Sequence, residues 1–352
     1  MKVDNQVKII APLKDTRWDK FVHNHTEGSV FHLSNWAEVI IKTYNFRPFY
    51  LISEDASGNI DSGLPLFLVD NGILGKKLIS IPFTDYVNPL ISSENDYQQL
   101  LEKILEFYHK NKYKSIEIRG DIINNNIFLE PDISFKNFIL NLQGKLKSDV
   151  WNNLHNSVKR GIKKAQKHDI KIITSNDLNA VKIFYDMNVI TRKKHGVFPQ
   201  PYNFYLNLWE CIIQKELGFV MLANLNGAPI SSAIFLHYNG TIYYKYGASY
   251  TEYLGYRPNN LLFWEAINWG LKNNFKYFDF GRVSQDNKGL MQFKRHWGAN
   301  EFDLPYYYYP EVKGISSMKQ SSLKYKIVTD ILKKSHPRIL EFLGDRFYRY
   351  FT

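Results

Sequence analysis

The residues best suited to chemistry lie between positions 240 and 299. The run FKYFDFGR at 275–282 reads as a short strand, Tyr277 to Phe280, that ends at Gly281. Asp279 alternates against Phe278 and Phe280, and Arg282 follows the glycine. A charged residue beside a glycine at a strand end is where α/β folds place their sites. Asp279 can accept a proton from an amine if it turns into a cleft; otherwise it pairs with Arg282. Thirteen positions beyond Gly281, across the Ser284–Gly289 loop, Phe293-Lys294 brings a cation back over that strand end. The alternative for Lys294 is a surface lysine beside a core phenylalanine. Tyr246, Tyr256, Arg257 and Asn259 border the loop before a helix that Arg257-Pro258 starts, and a helix N-terminus favours anions. Lys159, Arg160, Lys163 and Lys164 form a cationic face suited to a polyanion.

These groups need elements to hold them. Thr241–Tyr246 is β-branched and aromatic, a strand pattern. Residues 259–272 carry Leu262, Ala266 and Trp269 at helical spacing. Strands at 218–223, 230–237 and 241–246, the helix at 259–272 and a strand at 277–280 make one series. Strands at 49–53, 64–69 and 78–81, a helix at 97–110 and a strand at 115–118 make another. The endings match, YKSIEIRG at 113–120 and FKYFDFGR at 275–282. A repeated order of this kind predicts a duplicated α/β domain. Asp85, Tyr86 and Arg119 are the first copy's strand-end residues, with structural roles as their simpler reading.

Between the copies, Trp151, Leu154, Val158, Ile162 and Ala165 form an apolar stripe opposite the lysines. Helices follow at 178–191 and 202–216, joined by a polar ordered loop over 192–201. After Pro310, serines 316, 317, 321 and 322 mark a linker. Two basic helices at 324–334 and 338–350 end the chain, the last amphipathic through Phe342, Phe347, Tyr350 and Phe351. It packs on the body or lies on a membrane surface. The expected division is 1–145, 146–312 and a basic tail, 313–352.

Composition narrows the class. The 352 residues suffice for two domains, and 44% hydrophobic content is ordinary for a globular chain. The aromatic share, 16%, is high and reads as core filling rather than stacking surface. One cysteine excludes an internal disulfide, no apolar run reaches a membrane span, and the start lacks a signal-peptide core. A cytoplasmic, soluble protein is expected. Net charge is +11, concentrated in two blocks, 145–171 and 313–352, each carrying +6. Local blocks point to a polyanionic partner: a nucleotide-linked substrate, a tRNA or an anionic membrane face. Two solvated helices are the alternative. P-loop, Rossmann, zincin, C-x-x-C and G-x-S-x-G motifs are absent, and the ten histidines show no metal spacing. A metal is not expected.

Several segments carry a resemblance. WNNLHNSVKRGIKKAQKHDIKI at 151–172 resembles the basic helix that opens the second domain of the FemAB-like (BioF2-like) acyltransferases of the GNAT superfamily. IPFTDY at 81–86, IEIRG at 116–120, YGAS at 246–249, RPNNLLFWEAINWG at 257–270, FDFGR at 278–282 and GLMQFKRHWGA at 289–299 are similar in the same order. The resemblance implies an α/β (α+β) fold of two GNAT-like domains, each a mixed sheet flanked by helices. It implies transfer of an acyl or aminoacyl group to an amine of a cell-envelope precursor, nucleotide- or lipid-linked. The donor it implies is a co-substrate, aminoacyl-tRNA or acyl-CoA, with no tightly bound cofactor. The latter donor would suit N-acetylation of sugars in exopolysaccharide or lipopolysaccharide biosynthesis. Peripheral contact with the inner membrane face is a further expectation. The resemblance places Phe293-Lys294 on the catalytic side, with Lys294, Asp279 and Arg282 as catalytic candidates. It places Thr191, Arg192 and His195 near the acceptor. On this reading Lys294→Met slows turnover and leaves the melting temperature unchanged. The chain departs from the pattern in lacking an R/Q-x-x-G-x-G/A pyrophosphate loop and an inserted charged helical hairpin. A non-catalytic envelope-assembly or nucleic-acid-binding protein is the reading from another class.

Overall fold

The computed structural model describes residues 6–70, 72, 75–121, 131–310 and 323–351. In chain order the elements are β1 (Gln6–Ile10), α1 (Arg17–Asn24), α2 (Ser34–Tyr44), β2 (Arg47–Glu54), β3 (Ile60–Asp70), β4 (Lys76–Ser80), α3 (Glu94–Asn111) and β5 (Ser115–Arg119). Then come β6 (Asp132–Asn141), α4 (Lys147–Asn153), α5 (Asn156–Lys167), β7 (Lys171–Ser175), α6 (Leu178–His195), α7 (Tyr202–Cys211), β8 (Gly218–Leu225) and β9 (Ala228–Tyr238). The chain continues through β10 (Thr241–Ser249), α8 (Pro258–Lys272), β11 (Tyr277–Ser284), α9 (Lys288–Arg295), β12 (Asn300–Tyr309), α10 (Leu323–Lys334) and α11 (Pro337–Phe347). The serine-rich linker lies outside the described residues.

The chain divides into two compact units. The first runs to Phe135 and regains the chain at Asp303, because β12 pairs antiparallel with β5, Tyr306 opposite Arg119 and Tyr309 opposite Ile116. Its strand order is β1-β2-β3-β4-β5-β12. The second comprises Lys136–Phe302 and the C-terminal helices, with strand order β6-β11-β10-β9-β8-β7. The boundaries expected at 145 and 312 therefore shift. Most of β12 thus falls in the first unit and most of β6 in the second.

Each unit shows the repeat. In the first, β2, β3 and β4 pair antiparallel in succession, α3 crosses over, and β5 returns parallel to β4. In the second, β8, β9, β10, α8 and β11 do the same. A parallel return needs such a helical crossover. Both parallel junctions are short: Lys77–Ile79 against Ser115–Glu117, and Thr241–Tyr243 against Tyr277–Asp279. Beyond them the paired strands diverge. Each unit has its own core, centred on Leu51, Leu66, Leu100 and Ile116 in the first and on Phe235, Ile267, Phe278 and Trp297 in the second.

Three local expectations change. α6 continues beyond Thr191 through Arg192 and His195, which were expected in a loop, and stops at Gly196, φ +65°. The basic run at its end complements the helix dipole, and glycine supplies the left-handed cap. The stripe from Trp151 to Ala165 is two helices, broken where the His155 ring accepts the Ser157 N–H at 3.2 Å. Gly289 belongs to α9, whose Asn287 cap accepts from the Leu290 N–H at 3.1 Å. The C-terminal helices pack on the second unit. A Cβ on Gly344 would meet the Pro199 carbonyl at 2.4 Å, and the Phe351 ring lies 5.7 Å from Phe198.

Candidate active site

A cavity of about 450 Å³ opens in the second unit where β10 leaves β11. Its walls are Gly247, Ala248 and Ser249 of β10, Ser232 and Phe235 of β9, the start of α8 from Arg257 to Asn260, Phe293 and Lys294 of α9, and the end of α6. A bulge between Tyr244 and Tyr246 shapes it. The extra residue, Lys245, breaks the two-residue alternation of side chains. Tyr244 thus packs towards Phe263, at 4.6 Å, while Tyr246 turns towards Phe184, Phe204 and Tyr205. Tyr246, expected at the site, belongs to this aromatic packing instead. Tyr256 also lies off the cavity, edge-on to His168 at 4.8 Å.

Divergence leaves the β11 backbone short of strand partners on that side. Lys294, 4% exposed, meets this need: its Nζ donates to the carbonyls of Phe280 (2.6 Å), Gly281 (2.7 Å) and Arg282 (3.3 Å). It also stands 5.7 Å over the Phe138 ring. An ammonium has three N–H donors, and three carbonyls take them. Lys294 is therefore a charged strut under the cavity, and an oxyanion would have to compete with those carbonyls. Asp279 is 2% exposed and does not line the cavity. Its carboxylate accepts from Gly281 N at 2.7 Å and from Asn137 Nδ2 at 3.2 Å. These bonds tie β11 to β6 and correct the base role expected for it. Arg282 is half-buried and also lies outside the lining.

The opposite wall offers donors. Asn259, at the start of α8, accepts from Ser231 Oγ (2.5 Å) and Ser249 Oγ (2.8 Å) through its Oδ1. Ser249 N donates to Thr191 Oγ1 at 3.2 Å, which fixes the end of α6 to β10. With its carbonyl engaged, Asn259 has its amide N–H groups left for a ligand. Ser232 is 1% exposed, lines the cavity, and its hydroxyl has no partner among the described residues. A buried, unpartnered hydroxyl costs free energy, so its place at a cavity wall calls for a ligand. Arg257, with φ +64°, sets an exposed cation at the same helix start.

His195 and Lys194 close the rim. Desolvation, with the charges of Lys194, Arg192 and Lys333, holds the His195 pKa below the ordinary imidazole value. The ring is neutral at pH 7. Arg192 does not line the cavity and lies near the phenols of Tyr348, Tyr205, Tyr246 and Tyr244. The α5 lysines do not line the cavity: Arg160, Lys163 and Lys164 are exposed, and Lys159 donates to the Asn152 carbonyl at 2.9 Å. α5 nevertheless abuts the site, since a Cβ on Gly161 would meet the Asn260 amide at 2.8 Å. In the first unit, Arg119 is buried, bonded to Glu117 at 2.6 Å and stacked over Tyr306 at 5.4 Å, as its structural reading has it. The Asp85 carbonyl accepts from Tyr306 Oη at 2.5 Å. Among the described residues no group of three or more His, Cys, Asp or Glu could hold a metal.

Sequence reasoning missed Ser231, Ser232 and Lys194. Adjacent serines inside the apolar run PISSAIFL were the available signal, since a mid-strand hydroxyl must find a partner.

Comparison with known proteins bears out the FemAB-like resemblance. Residues 152–295, within the second unit, match the model of the acetyltransferase (GNAT) domain. Lipid II:glycine glycyltransferase of Staphylococcus haemolyticus is 32% identical over 106 residues, 27% of this chain and 25% of that protein. The enzyme of the same name from Staphylococcus epidermidis is 30% identical over 93 residues, 25% of this chain and 22% of its own. The chain thus matches about a quarter of the length of these curated relatives. Among solved structures, FemX superposes with a TM-score of 0.69 at 15% identity, covering 86% of this chain and 97% of FemX. A tandem GNAT protein from the clavulanic acid pathway gives 0.51 at 11% identity, covering 86% and 97%. The fold is the tandem GNAT-like one.

Proposed function

We propose that this protein transfers an acyl or aminoacyl group to an amine of a cell-envelope precursor. The observation that carries the reading is the cavity at the divergence of β10 and β11. There an open strand edge, uncommitted donors from Asn259 and Ser232, and a neutral His195 meet within the segment that matches the acetyltransferase domain. The similarity to lipid II:glycine glycyltransferases supports a lipid-linked peptidoglycan precursor as the acceptor.

The chemistry follows from the groups present. A neutral amine adds to the donor's acyl carbonyl, whose oxygen gains negative charge. The Asn259 amide has N–H groups to offer that oxygen, the Ser232 hydroxyl is a second unpartnered donor on the same cavity, and Lys294 adds a fixed positive charge at its wall. The amine proton passes to the neutral His195 ring, and collapse expels the donor's oxygen or sulfur, which takes the proton back. One such donor is typically worth about a hundred- to a thousandfold in rate. Arg257 at the α8 start and the neighbouring α5 cations suit an anionic donor, whether a tRNA or a coenzyme A ester.

The test is direct. Purified protein is incubated with lipid II, its nucleotide-linked precursor or an amino sugar, and with glycyl-tRNA or acetyl-CoA; products are read by mass spectrometry. Glycyl transfer to the lipid-linked peptide is the expected result. Acetylation of the amino sugar would favour the second reading, an N-acetyltransferase of polysaccharide biosynthesis, which the matched acetyltransferase model keeps open. No product from any pairing would overturn both.

A further inference from the structure

α11 has two faces of opposite character. Leu340 and Gly344, four residues apart, are buried, and Gly344 presses on Pro199. The other face carries Arg338, Ile339, Phe342 and Arg346, spaced one, four and eight from the first, so they share one side of the helix. Ile339 is 51% and Phe342 68% exposed. Phe351, 62% exposed, follows the helix. A folded chain does not ordinarily leave such large side chains in water on one helix face without a partner.

The charges say which partner. The acids of α11, Glu341 and Asp345, lie towards Tyr185 of α6; burial, with the charges of Asp186 and Asp345, raises the Glu341 pKa, and burial raises that of Asp186. The open face carries Arg338 and Arg346, with the exposed Asp345 at its edge beside Arg338. Apolar side chains flanked by cations fit the headgroup and upper acyl region of an anionic bilayer. Among the described residues no helix is long and apolar enough to cross a membrane. α11 also packs behind Pro199, on the loop that leaves the cavity-lining end of α6.

We propose that the open face of α11 is a docking surface for anionic phospholipid, which holds the α6 side of the cavity at the membrane where a lipid-linked acceptor resides. The part concerning the acceptor rests on the function proposed above; the lipid contact does not. The full-length chain is floated with vesicles of phosphatidylcholine, with or without phosphatidylglycerol. It should bind only the anionic vesicles and dissociate as salt rises. The double variant Ile339→Asp/Phe342→Asp should weaken that binding by about a hundredfold or more, given the apolar area lost. Its melting temperature should not move, because both side chains face solvent. Arg338→Gln/Arg346→Gln should weaken binding and flatten its salt dependence. No binding to anionic vesicles at low salt, or equal binding by the Asp variant, would overturn the proposal. So would a dimer in light scattering that the Asp variant dissolves, which would assign the face to a second copy. No donor or acceptor is present in this measurement, so failure of the transfer assay leaves it intact.

Discussion

Lys294→Met separates two roles that the sequence alone runs together. Read as a solvent-facing catalytic cation, the residue could be lost without cost to stability. The structure indicates otherwise. Nζ is buried and makes bonds of 2.6, 2.7 and 3.3 Å to three consecutive carbonyls at the divergence of β11. Methionine keeps the aliphatic volume and removes every donor. Two of the bonds are short and charge-assisted, and each carbonyl left unmade in a buried site costs about 1–3 kcal/mol. Relief from burying an ammonium offsets part of this. A net loss of about 2–5 kcal/mol follows, on the order of 10 °C in melting temperature for a unit of this size. Turnover should fall as well, since Lys294 itself lines the cavity. Differential scanning calorimetry of the wild type and the variant decides the point. A melting temperature within about 2 °C of wild type would refute the strut and return Lys294 to a purely catalytic place.

Ser232→Ala should do the opposite: an unpartnered buried hydroxyl gives little stability, so melting should hold or rise slightly while kcat falls by about a hundredfold. Equal kcat would remove Ser232 from the mechanism. With its pKa held low, His195 should give a kcat that rises with pH through a limb below about pH 6.5, and His195→Gln should abolish that limb. An unchanged profile in the variant would assign the base elsewhere. In the first unit, burial pushes the His32 pKa down to about 4. Its Nδ1 accepts from Ser29 Oγ at 2.7 Å and its Nε2 meets the Asn88 carbonyl at 2.8 Å, an arrangement for the neutral ring. The unfolded chain binds this proton more readily, so stability is present above about pH 6.5 and falls by about 1.4 kcal/mol per pH unit towards pH 4. Urea denaturation across that range checks it, and His32→Asn should flatten the slope.

Much of the fold was legible because it is periodic. The strands of both copies, the crossover helices at 94–111 and 258–272 and the matched endings all follow from alternation and helical spacing. The site was legible only in part. Arg257, Asn259, Phe293, Lys294, Thr191 and His195 do meet at one cavity. Asp279 and Tyr246 do not, for different reasons. Asp279 is taken by Asn137, 142 residues away in the chain, a partner that no local pattern reveals. Tyr246 is turned away by a single-residue bulge, which shifts every later side chain to the other face. The unit boundary was missed because β12 carries no mark of the strand it will join; Tyr306–Tyr309 read equally well as a strand of either copy.

The two copies share one topology yet differ at the same point, and that difference explains why the site lies in the second unit. In both, the parallel pair separates after three residues. In the first unit the separation is bridged by the chain itself. Arg119 N donates to Ser80 Oγ at 2.9 Å, Val87 N donates to the Arg119 carbonyl at 3.0 Å, and the Arg119 guanidinium reaches the Thr84 carbonyl at 3.2 Å. The segment after β4 thus folds into the opening between β4 and β5, and Glu117 neutralises the arginine that anchors it. In the second unit a bulge and Gly247 move the β10 edge aside, and the segment after β10 leads away to the start of α8. Lys294 satisfies only the β11 side, from below. The β10 side, with Gly247, Ala248 and Ser249, is left facing the cavity. Where the chain fills the opening in the first copy, side chains pair the exposed backbone in the second, Lys294 on β11 and Thr191 and Ser231 on β10, and the space between is left as the cavity.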